Sequence, residues 1–237
     1  MSVSNSENLN LPSVTVAKIL PKIPQEQLYA YKQCYIGISL DNPVFEGNSL
    51  HALLLWITDK FEHCLVIVGD HLSRFNERIL NGCDWETASK IAYDRGDEFI
   101  RKTQQFFQQL PDGKATLTRW KTHQQTNHYK KAREIIDNLF TYNDEFRASI
   151  EKDAFSFVKR LTRRNHTLAV ETAEAINLSS EYLIEEIAVF SSLSEQGWQV
   201  ELYPGPELRV LVDVARGKYK NIPIGLKQRI SVELKLS

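Results

Sequence analysis

Two short and almost wholly apolar runs, residues 34–39 and 64–69, limit most strongly the folds open to this chain. A strand that is apolar on both faces has to be covered on both sides, as the strands of parallel sheets are. Stretches of helical length lie between the β-rich runs, and such alternation is typical of a mainly parallel sheet. The sequence therefore predicts an α/β fold with helices flanking the sheet.

Other β-rich runs and helical periodicities complete the expected order of elements. Further strands are predicted at residues 13–16, 115–120, 198–203, 209–213 and 229–236. Helices are predicted at residues 49–61, 84–109, 127–140, 144–162 and 170–190. The polar beginning of the chain lacks the basic start and apolar stretch of a signal peptide. We therefore expect a flexible tail over residues 1–12, a single domain over residues 13–237, and a cytoplasmic location.

Composition and charge narrow the class of protein. A hydrophobic content of 42% and a charged content of 25% are ordinary for a globular protein. There is no apolar run of about 18 residues, so no membrane span is predicted. The net charge of −1 lacks the basic footprint of a nucleic-acid-binding protein. Cys34, Cys64 and Cys83 match neither zinc nor disulfide spacing, and we predict buried small side chains.

The end of the first apolar strand is where chemistry is expected, because ligands of parallel α/β sheets bind beyond the carboxyl ends of the strands. Gly37 allows close approach to the backbone there, and Ser39 offers a hydroxyl. A serine in this position is more often a turn or cap residue. The hydrolase pattern Gly-x-Ser-x-Gly is broken by Asp41, and none of the six histidines stands out as a partner. A Ser–His–Asp esterase is therefore disfavoured.

A second group of polar residues lies in the predicted helix at 170–190. Tyr182 and Glu186 are four residues apart and share one helix face, which apolar neighbours suggest is mostly buried. A carboxylate in such surroundings needs a partner, or its pKa rises. The spacing leaves open whether Glu186 or Glu185 is the inner acid.

Together, these segments resemble the two signatures of the tRNA-dependent cyclodipeptide synthases. Residues 37–45 read Gly-Ile-Ser-Leu-Asp-Asn-Pro-Val-Phe, similar to the family segment Gly-x-Ser-x-x-Asn-x-x-Phe. Tyr182-x-x-x-Glu186, with Val-Phe at residues 189–190, resembles the second signature, and the pair Tyr203–Pro204 also agrees. The resemblance implies a Rossmann-like domain similar to the catalytic domains of class I aminoacyl-tRNA synthetases, with two aminoacyl-tRNAs as substrates and neither cofactor nor metal.

The resemblance also implies roles for individual residues. Ser39 would attack the first aminoacyl ester and carry the acyl group, Tyr182 would orient Ser39, and Glu186 would hold the substrate ammonium. Tyr203 would assist in the later proton transfer. The substrate-binding residues that it points to are Gly37, Asn42, Tyr129, Tyr35, Val66 and Val68. Packing in the core or on a helix explains Tyr129, Tyr35 and the two valines equally well or better. Departures from the family pattern at Pro43, Val44 and Ala188 leave the identity of the two amino acids open.

Local basic groups are the candidates for contact with tRNA phosphates. They are Lys90, Arg95, Arg101 and Lys102 on one predicted helix, and Lys159, Arg160, Arg163 and Arg164 on another. Charge runs are solvated helix faces more often than binding sites, but the resemblance implies that at least one group binds tRNA. Two other readings stay open: a serine hydrolase or acyltransferase on a small ester, and a non-catalytic tRNA-binding module. We expect a monomer.

Overall fold

A computed structural model of the protein describes residues 11–163 and 167–237. Within these ranges the strands are β1 (Val14–Leu20), β2 (Gln33–Ile38), β3 (His63–Val68), β4 (Ala115–Arg119), β5 (Val200–Tyr203) and β6 (Ile230–Leu236). The helices are α1 (Gln25–Leu28), α2 (Gly47–Lys60), α3 (Asp70–Asn81), α4 (Trp85–Phe107), α5 (Trp120–Gln124), α6 (Asn127–Tyr142), α7 (Asp144–Arg163), α8 (Thr172–Glu195), α9 (Arg209–Ala215) and α10 (Ile224–Gln228).

The six strands form one sheet in the order β1-β6-β5-β2-β3-β4. All neighbours pair in parallel except β1, which runs antiparallel to β6. From β2 the chain proceeds outwards through β3 and β4, and it then returns to place β5 on the other side of β2. The order therefore reverses between β2 and β5, and the crevice at the carboxyl ends of these two strands is where such sheets bind ligands.

Alternation of side chains along β2 divides the core into two layers. Cys34, Ile36 and Ile38 face the apolar cluster that includes α2, whereas Tyr35 faces the cluster that includes α3, α6, α7 and α8. Helices thus cover both faces of the sheet, and the α/β prediction is confirmed. The long helix α8 lies on the face of Tyr35, and this placement brings its polar residues towards the end of β2.

The structure corrects two parts of the predicted element order. Residues 209–213, predicted as a strand, form the beginning of α9, because Val210, Leu211 and Val214 at helical spacing bury one side of a helix. Helix α3 was not predicted, although it follows β3 directly. The other predicted strands and helices are present, with ends that differ from those predicted. Asp84 caps α4 as predicted, because its side chain accepts a hydrogen bond from the backbone N–H of Thr87 at 2.8 Å.

The predicted tail, residues 1–12, lies outside the described residues except for its last two positions. Cys34 and Cys64 are buried free thiols, as predicted, and Cys83 is half-buried. Among the described helices, none has an apolar stretch sufficient to cross a lipid bilayer.

Candidate active site

Ser39 lies in a tight turn that begins where β2 ends. The backbone N–H of Asn42 donates to the carbonyl of Ser39 at 3.1 Å and closes the turn over residues 39–42. The Asn42 side chain caps the following 3₁₀ turn by accepting from the N–H of Val44 at 3.1 Å, and its Nδ2 donates to the hydroxyl of Tyr203 at 3.4 Å. Asn42 therefore connects the carboxyl ends of β2 and β5 across the crevice.

Tyr182 and Glu186 face the same crevice from α8. Burial raises the pKa of Tyr182 well above its usual value, and the negative charges of Glu186 and Asp41 and the neighbouring Tyr203 add to the effect. These neighbours place Tyr182 between the Ser39 turn and the end of β5. A phenol with a raised pKa stays protonated at neutral pH, so Tyr182 is available as a hydrogen-bond donor.

The two adjacent acids of α8 have different environments. The carboxylate of Glu185 is only 2% exposed and accepts two hydrogen bonds from Arg74, at 2.9 and 2.6 Å, and one from Trp120 Nε1 at 3.2 Å. Glu186 is half-buried and accepts no hydrogen bond from any residue that the structure describes. Burial raises the pKa of Glu186 to about 8, and the negative charges of Glu201, Glu207 and Glu185 contribute to this rise. Glu185 is the deeper acid and is paired, whereas Glu186 is the acid available to a ligand.

We expect that the substitution Arg74→Met will destabilise the protein by about 3–5 kcal/mol, because it leaves the buried Glu185 carboxylate without its main partner. Urea unfolding monitored by circular dichroism measures the change. The control Lys102→Met breaks the exposed pair between Lys102 and Glu98, and we expect less than about 1 kcal/mol from it. Equal effects for the two variants would contradict the structural role of Arg74.

The predicted substrate-binding residues fall on two sides of the sheet. A side chain added at Gly37 would contact nothing within 4 Å, so open space lies beside it, on the face of β2 that α8 covers. Tyr35 lies on this face. Val66 packs in the cluster on the opposite face, and Val68, paired with Ile38, follows it by alternation. The two valines therefore do not line a pocket together with Tyr35.

Tyr129, from α6, is half-buried against the apolar cluster of α8. Burial raises its pKa, and the negative charge of Glu185 adds to the rise. Among the described residues, Tyr129 and Glu186 share no hydrogen bond.

A buried ionic network joins Arg229, Glu201 and Glu207, and no pattern in the sequence predicted it. The guanidinium of Arg229 binds Glu201 at 2.5 Å and Glu207 at 2.7 Å, and the hydroxyl of Tyr35 donates to Glu201 at 2.8 Å. The charges of Glu201 and Glu207 also act on Glu186, and they outnumber the single positive charge of Arg229. This excess of negative charge disfavours ionisation of Glu186 and makes the crevice suitable for a positively charged group.

An open groove lies between the Ser39 turn and α4, with a volume of about 440 Å³. Its lining residues from the turn side are Ser39, Leu40, Asn42, Phe45, Glu46 and Gly47, and those from α4 are Arg95, Glu98, Phe99, Lys102, Thr103, Gln105 and Phe106. We refer to it as the Ser39–α4 groove. Ser39 is thus accessible from this groove, which is wide enough for an extended substrate.

Some of the cations predicted to bind tRNA are engaged in ion pairs within the protein. Arg95 is engaged by Asp41 at 2.6 Å and by Glu77 at 2.5 Å, and Lys102 pairs with Glu98 at 2.6 Å. The remaining members of the two groups are exposed: Lys90, Arg101, Lys159, Arg160 and Arg163. Arg164 lies outside the described residues.

Solved structures of similar fold come from several bacteria. A cyclodipeptide synthase of Fluoribacter dumoffii is 22% identical, with 96% of this chain and 99% of that chain covered and a TM-score of 0.78. A Mycobacterium tuberculosis protein, described as relating cyclodipeptide synthetases to type I tRNA synthetases, is 15% identical, with 97% and 98% covered and a TM-score of 0.69. A cyclodipeptide synthase of Candidatus Glomeribacter gigasporarum bound to Phe-tRNAPhe is 16% identical, with 85% and 86% covered and a TM-score of 0.62.

No curated protein sequence matches the chain significantly. The family model for cyclodipeptide synthase matches residues 26–195, which is more than half of the chain and includes the Ser39 turn and the polar part of α8. The fold similarity extends over nearly the whole chain for the Fluoribacter structure. The chain therefore belongs to the cyclodipeptide synthase family, as its two signatures predicted.

Proposed function

We propose that this protein closes two aminoacyl groups, delivered by two aminoacyl-tRNAs, into a cyclic dipeptide through covalent intermediates on Ser39. The observation that carries the proposal is the convergence of the Ser39 turn, Tyr182, Glu186 and Tyr203 at the crevice between β2 and β5. Aminoacyl esters of tRNA are already activated, so the reaction requires no nucleotide. Because these substrates are cytoplasmic, we place the reaction in the cytoplasm.

In the first step, the hydroxyl oxygen of Ser39 forms an ester with the aminoacyl carbonyl carbon, and the bond to the tRNA ribose breaks. The hydroxyl next to the leaving oxygen on the ribose carries the proton from Ser39 to that oxygen. Tyr182, protonated because of its raised pKa, orients the nucleophile by a hydrogen bond. This arrangement explains how a serine acts without a histidine base.

Glu186 holds the amino group of the bound aminoacyl residue and later accepts its proton. An α-amino group has a pKa of about 7.7–8.0, and Glu186 has a pKa of about 8 in this crevice. Since the two values match, a proton moves between ammonium and carboxylate at little cost, whereas an ordinary glutamate would be a poor base. A carboxylate in this environment can therefore anchor the ammonium and also release a neutral amine for attack.

In the second step, the neutral amine on Ser39 forms an amide bond with the carbonyl carbon of the second aminoacyl-tRNA. The ester bond to the second tRNA breaks, the proton of the amine passes to the leaving ribose oxygen, and the dipeptidyl group stays on Ser39. The new terminal amine then attacks the Ser39 ester, the ring closes, and the Ser39 oxygen regains a proton. Glu186 accepts the ammonium proton in this step, with the Tyr203 hydroxyl assisting. Asn42 fixes that hydroxyl at 3.4 Å.

We propose that exposed cations of α4 and of the end of α7 contact the tRNA phosphates. Arg101 and Lys102 lie on α4 beside the Ser39–α4 groove, and Lys159, Arg160 and Arg163 lie on the last turns of α7. Burial raises the pKa of Tyr203, and the positive charge of Arg160 partly opposes this rise. Two exposed basic groups, one on α4 and one at the end of α7, would suit a long polyanionic substrate.

The test is mass spectrometry of reactions that contain the purified protein and a mixture of aminoacyl-tRNAs. We expect a cyclic dipeptide whose mass identifies both amino acids, and no product when the tRNAs are uncharged. Product formation should fall steeply as salt increases, because phosphate contacts release counterions. Hydrolysis of small activated esters at a salt-independent rate, with no cyclic dipeptide, would favour the serine hydrolase reading instead.

A further inference from the structure

The turn that carries Ser39 is held in place by side chains from two helices. Both carboxylate oxygens of Asp41 are occupied: Oδ1 accepts from Arg95 Nη2 at 2.6 Å, and Oδ2 accepts from Asn76 Nδ2 at 2.9 Å. The same Nη2 of Arg95 also donates to the backbone carbonyl of Leu40 at 3.2 Å. Leu40 and Asp41 are therefore fixed by side chains of α3 and α4.

Arg95 is itself fixed by a buried acid. Its Nη1 donates to Glu77 Oε1 at 2.5 Å, and the side chain of Glu77 is only 7% exposed. The guanidinium thus bridges α3 and the Ser39 turn, and its planar fork suits two acceptors on different elements. Two carboxylates already neutralise its charge, so little of that charge remains for a phosphate.

The position of Arg95 follows from a close approach between α4 and α3. At the next residue, Gly96, an added Cβ would lie 2.6 Å from the Cβ of Asp70, so only glycine permits this spacing. Asp70 is fully buried and is held by Arg119 at 2.9 Å. The helix backbone that presents Arg95 is therefore rigidly placed against the start of α3.

We infer that Arg95 is a positioning residue for the nucleophile, acting through Asp41 and Leu40, and that it is not a tRNA phosphate contact. The inference rests on the proposed function, in which Ser39 is acylated. It assigns to α4 two different uses: Arg95 supports the reacting turn, and exposed cations such as Arg101 face the solvent where a tRNA would lie.

Positioning and phosphate binding have different kinetic consequences. Loss of a support displaces the Ser39 hydroxyl, and small misplacements cost up to about 100-fold in rate. Substrate affinity and its salt dependence stay unchanged in that case. Loss of a phosphate contact weakens binding and lowers the slope of log K against log salt by about one, while the rate at saturation is kept.

The experiment measures single-turnover aminoacylation of Ser39 with radiolabelled aminoacyl-tRNA, at several salt concentrations. For Arg95→Met we expect a 10- to 100-fold lower rate at saturation, with affinity within about twofold and an unchanged salt slope. Asp41→Asn should lower the same rate, and the double variant should be no slower than Arg95→Met within about twofold, since the residues act as one unit. Arg101→Ala should show the opposite pattern, a reduced salt slope at an unchanged saturated rate.

The outcomes separate the inference from the proposed function. If Arg95→Met weakens affinity and lowers the salt slope at an unchanged saturated rate, or if its effect multiplies with that of Asp41→Asn, the inference is overturned. Circular dichroism melts identify a variant that does not fold. If Arg95→Met does not fold, Asp41→Asn and Arg95→Lys replace it, and the saturated rate, the affinity and the salt slope are compared in the same way. A wild-type protein that never acquires an aminoacyl group would overturn the proposed function and this inference with it.

Discussion

The substitution Ser39→Ala should abolish cyclic dipeptide formation while leaving the fold and aminoacyl-tRNA binding intact. Ser39 is half-exposed in its turn, and the turn is closed by a backbone hydrogen bond that alanine retains. Removal of a nucleophile that acts as part of a unit typically costs at least about 10³–10⁴-fold in rate. The measurements are product formation by mass spectrometry and covalent transfer of a radiolabelled aminoacyl group to the protein.

A matched control for this variant is Ser39→Cys, which keeps a nucleophile at the same position. We expect it to form a labelled thioester, detectable after denaturation and released by hydroxylamine. Labelled Ser39→Ala protein, or cyclic dipeptide made by it at more than about a hundredth of the wild-type rate, would contradict a covalent route through Ser39. A two-tRNA reaction without an acyl-enzyme would then have to be considered.

The substitution Glu186→Gln should remove activity and raise stability at the same time. Between pH values of about 4.5, the usual pKa of a glutamate, and about 8, its pKa in this crevice, the folded protein binds more protons than the unfolded chain. The free energy of unfolding therefore falls as the pH rises through this window. Glutamine does not titrate, so the variant avoids the loss. Since Glu186 is partly exposed, solvent screens part of the effect, and we expect a gain on the order of 2 kcal/mol at pH 8.

Thermal unfolding at two pH values measures this gain. At pH 8 the Tm of Glu186→Gln should exceed that of the wild type by about 4–8 °C, and near pH 4.5 the difference should vanish. Product formation should fall by about 10²–10⁴-fold, because the ammonium anchor and proton acceptor are lost. The adjacent variant Glu185→Gln is the control. It weakens the pair with Arg74 and should lower the Tm. A lower Tm for Glu186→Gln at pH 8 would show that Glu186 is charged and paired in the folded protein.

The fold class could be predicted from the sequence because β2 and β3 are continuous apolar runs, a pattern that parallel sheets require. The prediction of a strand at residues 209–213 was wrong because a short run rich in valine fits a buried helix turn equally well. Helix α3 was overlooked although Leu72, Phe75 and Ile79 stand at helical spacing and bury one side of it. What this pattern does not indicate is that Asp70, Asn76 and Glu77 are buried as well. Their partners come from β4, α4 and the Ser39 turn, which a local pattern does not reveal.

The candidate site was predicted in part. Ser39, Tyr182 and Glu186 were singled out by family signatures, whereas helical spacing alone did not show whether Glu185 or Glu186 is the inner acid. Adjacent residues of a helix point only about 100° apart, so the spacing alone does not show which of the two acids is buried. Glu185 is the buried one, and it is paired with Arg74. The network of Arg229 with Glu201 and Glu207 joins residues of β5 and of the segments after β5 and α10. Nothing in the order of these residues indicates that they meet.

The crevice is assembled from parts of the chain that are synthesised far apart in time. Ser39 follows β2, but Tyr203 ends β5, and β5 pairs with β2 on one side and with β6 on the other. At about 5–20 residues per second, the ribosome needs roughly ten to thirty seconds to reach Tyr203 after making Ser39. A nascent chain therefore has its nucleophile early but lacks the opposite wall of the crevice. The complete crevice therefore forms only after β5 has paired with β2.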